Sequence, residues 1–146
     1  MASGAQRLDA MLAELGRVTD EPGKLTRTFL SPAMQRANAL VGGWMKEAGL
    51  HLRVDSVGNL IGRLEAGVGS PLAGAQPARS SHSSRRRTKT LLLGSHLDTV
   101  RDAGKYDGAL GVLLPIVALA ELNRRGVKLP FAVEVLGFSE EEGVRF

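Results

Sequence analysis

The chain has 146 residues, 43% of them apolar and six of them aromatic (one Trp, one Tyr, four Phe), which is one domain's worth of protein or a piece of a larger one. Its formal charge of +4 is concentrated in one short polar stretch holding Arg79, Arg85, Arg86, Arg87 and Lys89, whereas a nucleic-acid surface needs basic residues on a folded face with aromatics between them, so no nucleic-acid partner is predicted. The absence of cysteine excludes disulfides, thiolate nucleophiles and Cys-ligated zinc, and no apolar run suits a signal peptide or a membrane span, which predicts a cytoplasmic protein with no membrane partner.

Leu8, Met11, Leu12 and Leu15 recur at helical spacing and predict an amphipathic helix over 5–17. Thr19-Asp20-Glu21-Pro22-Gly23 breaks it. Ser31-Pro32 reads as an N-cap followed by proline at the first helical position. Met34, Ala37, Val41, Trp44, Met45 and Ala48 then form one stripe, closed by Gly49 and read as core. Leu50, Leu52 and Val54 alternate with polar residues as a strand does, Ser56-Val57-Gly58-Asn59 turns the chain, and Leu60 to Leu64 returns. The stretch 66–89 is rich in Gly, Pro, Ser and Arg without periodicity, and a poorly ordered loop is expected there.

Beyond it the pattern becomes α/β. Thr90-Leu91-Leu92-Leu93 reads as a short buried strand ending at Gly94-Ser95-His96, and a polar loop from Asp98 to Tyr106 leads into an apolar helix over 108–124. Gly126 and Pro130 punctuate its end, and Phe131 to Phe138 is a second apolar strand running into Ser139-Glu140-Glu141-Glu142-Gly143. A strand–helix–strand unit of this kind makes a parallel pair, and ligands bind at the carboxyl ends of such strands.

Three separate pieces of sequence thus deliver ligand-type groups to one sheet edge: His96 and Asp98, then Asp107, then Glu140 to Glu142. Each alone has a plainer reading, as a loop histidine, a helix cap or a solvated charge cluster. Their joint placement favours a metal site, because a cation needs several ligands to converge. A metal-bound histidine donates its other ring N–H to a carboxylate, and Asp98 is placed for that. Asp107 precedes a helix, where its charge is tolerated and two oxygens could bridge two cations. Among the glutamates, one could bind metal while a neighbour acts as general base. His51 and His82 are not placed as ligands.

GSHLDTV (94–100), AGKYDGALG (103–111) and FSEEEGVRF (138–146) together resemble the M20-type metallopeptidase superfamily, in its branch of allantoate amidohydrolases, N-carbamoyl-L-amino-acid hydrolases and β-ureidopropionases. LTRTFLSPAMQRA, GWMKEAGL and VDSVGNLIGRLE look like the same branch. The resemblance implies an α/β fold: part of a three-layer αβα metallohydrolase catalytic domain with a mixed, mostly parallel sheet. It implies two divalent metal ions, zinc, manganese or cobalt. His96 would be a ligand of one metal, Asp107 the bridging aspartate and Glu142 a ligand of the other. Glu141 would be the general base activating a metal-bound water, Asp98 would orient the histidine, and Glu140 has no role in the pattern. Relatives often carry a cis peptide after the bridging aspartate, which Gly108 would accommodate.

Within the branch the wording is nearest to allantoate amidohydrolases, implying hydrolysis of the ureido C–N bond of allantoate in ureide catabolism. A carbamoyl-amino-acid hydrolase, a β-ureidopropionase and a non-catalytic remnant are the alternatives. Relatives are longer, with two further histidine ligands downstream and an inserted lid that makes them homodimers. Residues 1–146 are therefore expected to be the N-terminal portion of the catalytic domain, lacking the lid and inactive alone toward the small ureido or carbamoyl substrate.

Overall fold

In the computed structural model, which describes residues 3–67 and 89–143, Ser3 caps the first helix, α1 (Gly4–Leu15). Its hydroxyl accepts the Gln6 N–H while the Gln6 side chain accepts the Ser3 N–H, so two otherwise unpaired donors are satisfied reciprocally. The second helix, α2 (Pro32–Glu47), starts as its sequence requires: the Ser31 hydroxyl accepts the Met34 N–H at 3.1 Å and proline takes the first turn. Its stripe of Met34, Ala37, Val41, Trp44 and Met45 is buried.

Four strands and one more helix follow: β1 (His51–Val54), β2 (Leu60–Leu64), β3 (Thr90–His96), α3 (Ala109–Arg124) and β4 (Ala132–Phe138). β3 is longer than the expected Thr90–Leu93, because Gly94, Ser95 and His96 stay in register with Leu136, Gly137 and Phe138. The expected loop at 66–89 lies almost wholly outside the described residues. Its two ends are held, with the Gly67 N–H donating to Leu129 O and the Ala132 N–H to Lys89 O.

The sheet is mixed, in the order β1-β2-β4-β3. β1–β2 and β2–β4 are antiparallel, and the parallel character expected of the sheet is confined to β3–β4. That parallel pair is the one a helix crosses, α3 lying between its strands in the chain. Helices and sheet enclose one core, in which Leu15, Val41, Met45, Leu97, Leu113, Ile116, Val133 and Val135 are essentially inaccessible. Gly137 admits Leu97 to this core: a Cβ at 137 would lie 2.6 Å from Leu97 Cδ1. Two of the three expected layers are present, for Leu92 (61% exposed) and Phe138 (40%) remain open to solvent among the described residues. No helix among them is long and apolar enough to cross a membrane.

Leu113 is one of the fully buried residues through which α3 meets this core. Leu113→Ala is expected to lower the unfolding free energy by about 2–5 kcal/mol, read as a lower urea midpoint at unchanged m-value.

Candidate metal centre

The parallel pairing of β3 with β4 brings the chemistry together. The ladder continues one bond past His96, the Leu97 N–H donating to Phe138 O at 2.8 Å. The segments after the two strands therefore leave the sheet side by side. Asp98 joins them. It is 2% exposed, and its carboxylate Oδ2 accepts the backbone N–H groups of both Glu141 and Glu142, each at 3.0 Å.

Asp98 also meets His96, though through a different atom from the one expected. His96 Nδ1 lies 3.0 Å from the Asp98 main-chain oxygen and 3.6 Å from carboxylate Oδ1. Carboxylate Oδ2 takes the two amides, and the carbonyl of the same residue takes the imidazole. A carbonyl only accepts, so this contact places the ring proton on Nδ1. The other ring nitrogen, Nε2, faces Asp107 Oδ1 at 3.7 Å and Glu141 Oε2 at 3.8 Å. A ring nitrogen and carboxylates that face one another can share a cation, and His96, Glu141 and Glu142 can present one donor atom each within 4.8 Å of one another. The set of imidazole and carboxylates fits a divalent cation.

Asp107 faces the same ring nitrogen but stands outside that group of three, its side chain 62% exposed. Gly108 caps α3 at φ +62°, and the Ala109 N–H donates back to Asp107 O across it. This is a γ-turn, a reversal that glycine makes without a Cβ penalty. A Cβ at 108 would lie 2.5 Å from both His96 Nδ1 and His96 O. The peptide bonds of the described residues are all trans, so the cis bond expected after Asp107 is replaced by this turn. Glu140, which has no role in the pattern, is half-buried, and neither of its carboxylate oxygens has a hydrogen-bond partner among the described residues. His51 lies exposed on β1, and His82 falls outside the described residues.

Two supports were not foreseen in the sequence. Arg27 is 1% exposed and reaches the Leu97 carbonyl with Nε at 2.6 Å. Burial pushes its pKa down to about 10, against the pull of Asp98 and Asp20, so it stays charged at neutral pH. Ser139, just before the glutamates, donates its hydroxyl to Val57 O at 2.8 Å and its N–H to Asn59 Oδ1 at 3.0 Å. Asn59 in turn donates to Asp55 at 2.9 Å, so the β1–β2 turn braces the end of β4. The sequence signals were faint: one arginine between two threonines, and an Asx-type turn.

Asp98→Ala leaves two partly buried amides without an acceptor and is expected to cost about 1–3 kcal/mol in denaturant unfolding, with faster hydrogen exchange at Glu141 and Glu142. Asp98→Asn keeps one carbonyl oxygen and should lose less. Farther out, Arg101 grips Glu21 through two hydrogen bonds of 2.7 and 2.8 Å and holds its carboxyl at about 2. Because this value lies below the ordinary 4.5, the pairing stabilises the fold above about pH 4.5 and is lost as pH falls toward 2. Glu21→Gln should flatten that part of an acid-unfolding curve.

No protein-family model matches the chain. It is 48% identical over 139 residues to "Allantoate deiminase" of Arabidopsis thaliana, covering 94% of this chain and 23% of that protein. It is 39% identical over 142 residues to "N-carbamoyl-L-amino acid amidohydrolase" of Geobacillus stearothermophilus, covering 97% and 31% respectively. Among solved structures, a hydantoinase/carbamoylase family amidase from Burkholderia ambifaria superposes with a TM-score of 0.80 at 31% identity, over 99% of this chain and 31% of that one. The chain thus spans about a quarter to a third of the length of the relatives it matches. Within that span it is a homologue of the allantoate deiminases and of their N-carbamoyl-L-amino-acid amidohydrolase relatives.

Proposed function

We propose that this chain is the N-terminal portion of the catalytic domain of a binuclear, metal-dependent M20-type amidohydrolase, and that the whole protein hydrolyses the ureido C–N bond of allantoate. The observation that carries this reading is the Nε2 face of His96, turned toward the carboxylates of Asp107 and Glu141 with Glu142 beside them. His96, Asp107 and Glu142 would hold two divalent ions, zinc, manganese or cobalt, with further ligands supplied from the rest of the whole protein. When bound, such ions lower the pKa of a coordinated water and polarise the carbonyl under attack.

The residues of this chain do the rest. Glu141 accepts the proton of the attacking water at a carboxylate oxygen and delivers it to the departing nitrogen. Asp98 keeps His96 in one tautomer and fixes the backbone of Glu141 and Glu142. Water adds to the ureido carbon and its bond to the terminal nitrogen breaks, releasing ammonia and leaving a carbamate. The carbamate then loses carbon dioxide by breaking its remaining C–N bond, and ureidoglycine results. The similarity to allantoate deiminases at 48% identity, against 39% for a carbamoyl-amino-acid hydrolase, supports allantoate over N-carbamoyl amino acids as the small-molecule substrate. We place the whole protein in the cytoplasm as a homodimer.

The 146-residue chain alone is expected to take up Zn²⁺ or Mn²⁺ weakly in calorimetric titration and to release no ammonia from allantoate. Tight two-site binding would show that the centre is complete within these residues and would overturn the proposal of a shared one. In the whole protein, Glu141→Gln is expected to lower kcat by about 10²–10⁴-fold with metal content unchanged. Loss of metal together with activity would make Glu141 a ligand, as its place beside His96 and Glu142 also permits. Faster turnover of N-carbamoyl amino acids than of allantoate would favour the carbamoylase reading.

A further inference from the structure

Arg27 lies on no helix or strand, between α1 and α2, yet it is 1% exposed. It bonds to both peptide groups that flank Asp98. Its side-chain Nε donates at 2.6 Å to the Leu97 carbonyl, which belongs to the peptide joining residues 97 and 98. Its main-chain carbonyl accepts the Thr99 N–H at 2.8 Å, which belongs to the peptide joining 98 and 99. Its own N–H donates to the Thr99 hydroxyl, also at 2.8 Å. The far side of the guanidinium is anchored, Nη1 donating to Leu15 O at 3.2 Å and Val18 O at 3.0 Å. The Leu15 carbonyl is the last of α1, where a cation is favoured, and Val18 follows just beyond it.

We propose that Arg27 is a positioning residue of the metal centre: it clamps both peptide groups of Asp98, and so sets the carbonyl that orients His96 and the carboxylate that holds Glu141 and Glu142. This rests on the metal-centre reading above. The guanidinium suits the task because its donors are fixed in one plane and point apart. One edge serves the Leu97 carbonyl while the other serves α1, which a lysine ammonium on a single flexible stem cannot do at once. Its charge also acts on the buried carboxylate of Asp98, whose Oδ1 has no hydrogen-bond partner among the described residues. A merely structural arginine would cap α1 and stabilise the fold without affecting the imidazole.

The test compares the full chain with Arg27→Met and Arg27→Lys by nitrogen NMR of the imidazoles without metal, and by Co²⁺ titration followed in the visible spectrum. Unsubstituted chain should show His96 in one tautomer, with the proton on Nδ1. Folded Arg27→Met should show a mixture of tautomers, an altered cobalt spectrum and about 10–100-fold weaker Co²⁺ binding. Arg27→Lys should recover melting temperature more fully than it recovers the tautomer. An unchanged tautomer and unchanged Co²⁺ affinity in folded Arg27→Met would overturn the proposal. Should that variant fail to fold, Thr99→Val, which removes only the hydroxyl that accepts the Arg27 N–H, should move both readouts the same way by less, and no movement would overturn the proposal. If the unsubstituted chain takes up no Co²⁺, the metal reading fails by itself and the tautomer comparison still decides the role of Arg27.

Discussion

The buried carboxylate of Asp98 is the constraint on which the rest of the centre depends. A side chain 2% exposed would be costly if left unpaired, and one oxygen is satisfied by two backbone amides from a different loop. Those amides belong to Glu141 and Glu142, so satisfying Asp98 and placing the two glutamates are one event. The same residue offers its carbonyl to His96. A single position therefore governs the imidazole through its main chain and the glutamates through its side chain.

That arrangement is possible because β3 and β4 are parallel neighbours and leave the sheet together. An antiparallel pair would have sent the two loops to opposite ends. The crossover helix α3 closes the unit, and its first turn is part of the site, because Gly108 must pass against the His96 ring. Backbone reversal at φ +62° brings Asp107 to face the same ring nitrogen as Glu141. Outside this unit, α1, Arg27 and the β1–β2 turn act as a frame. Arg27 ties the end of α1 to Leu97, and Asp55, Asn59 and Ser139 tie the hairpin to the end of β4.

The frame leaves the centre open. Asp107 and Glu141 are largely exposed while His96 and Asp98 are buried, so one side of the candidate site is enclosed and the other faces solvent. Among the described residues the sheet is open as well, with Leu92 and Phe138 uncovered. Both features accord with a chain that spans only part of the length of its relatives. A divalent cation prefers more ligands than one imidazole and exposed carboxylates provide, which is why weak uptake by these residues alone is the natural expectation.

Local pattern by itself determined the elements and the residues with ligand chemistry. The stripe from Met34 to Met45, the Ser31-Pro32 start and the apolar strands before His96 and Ser139 are set by periodicity and capping, which act over a few residues. That His96, Asp107 and the glutamates meet at one edge was legible too, because the strand–helix–strand pattern dictates which ends adjoin. Only the tertiary structure decided which atoms meet: that the Asp98 carbonyl takes the imidazole, that its carboxylate takes two amides, and that Gly108 turns through a positive φ. It also revealed Arg27, whose partners lie 12 and 70 residues away and leave no periodic trace in the chain. Hydrogen-bond choice among competing acceptors depends on distances of a few tenths of an ångström, and those are set by packing rather than by sequence spacing.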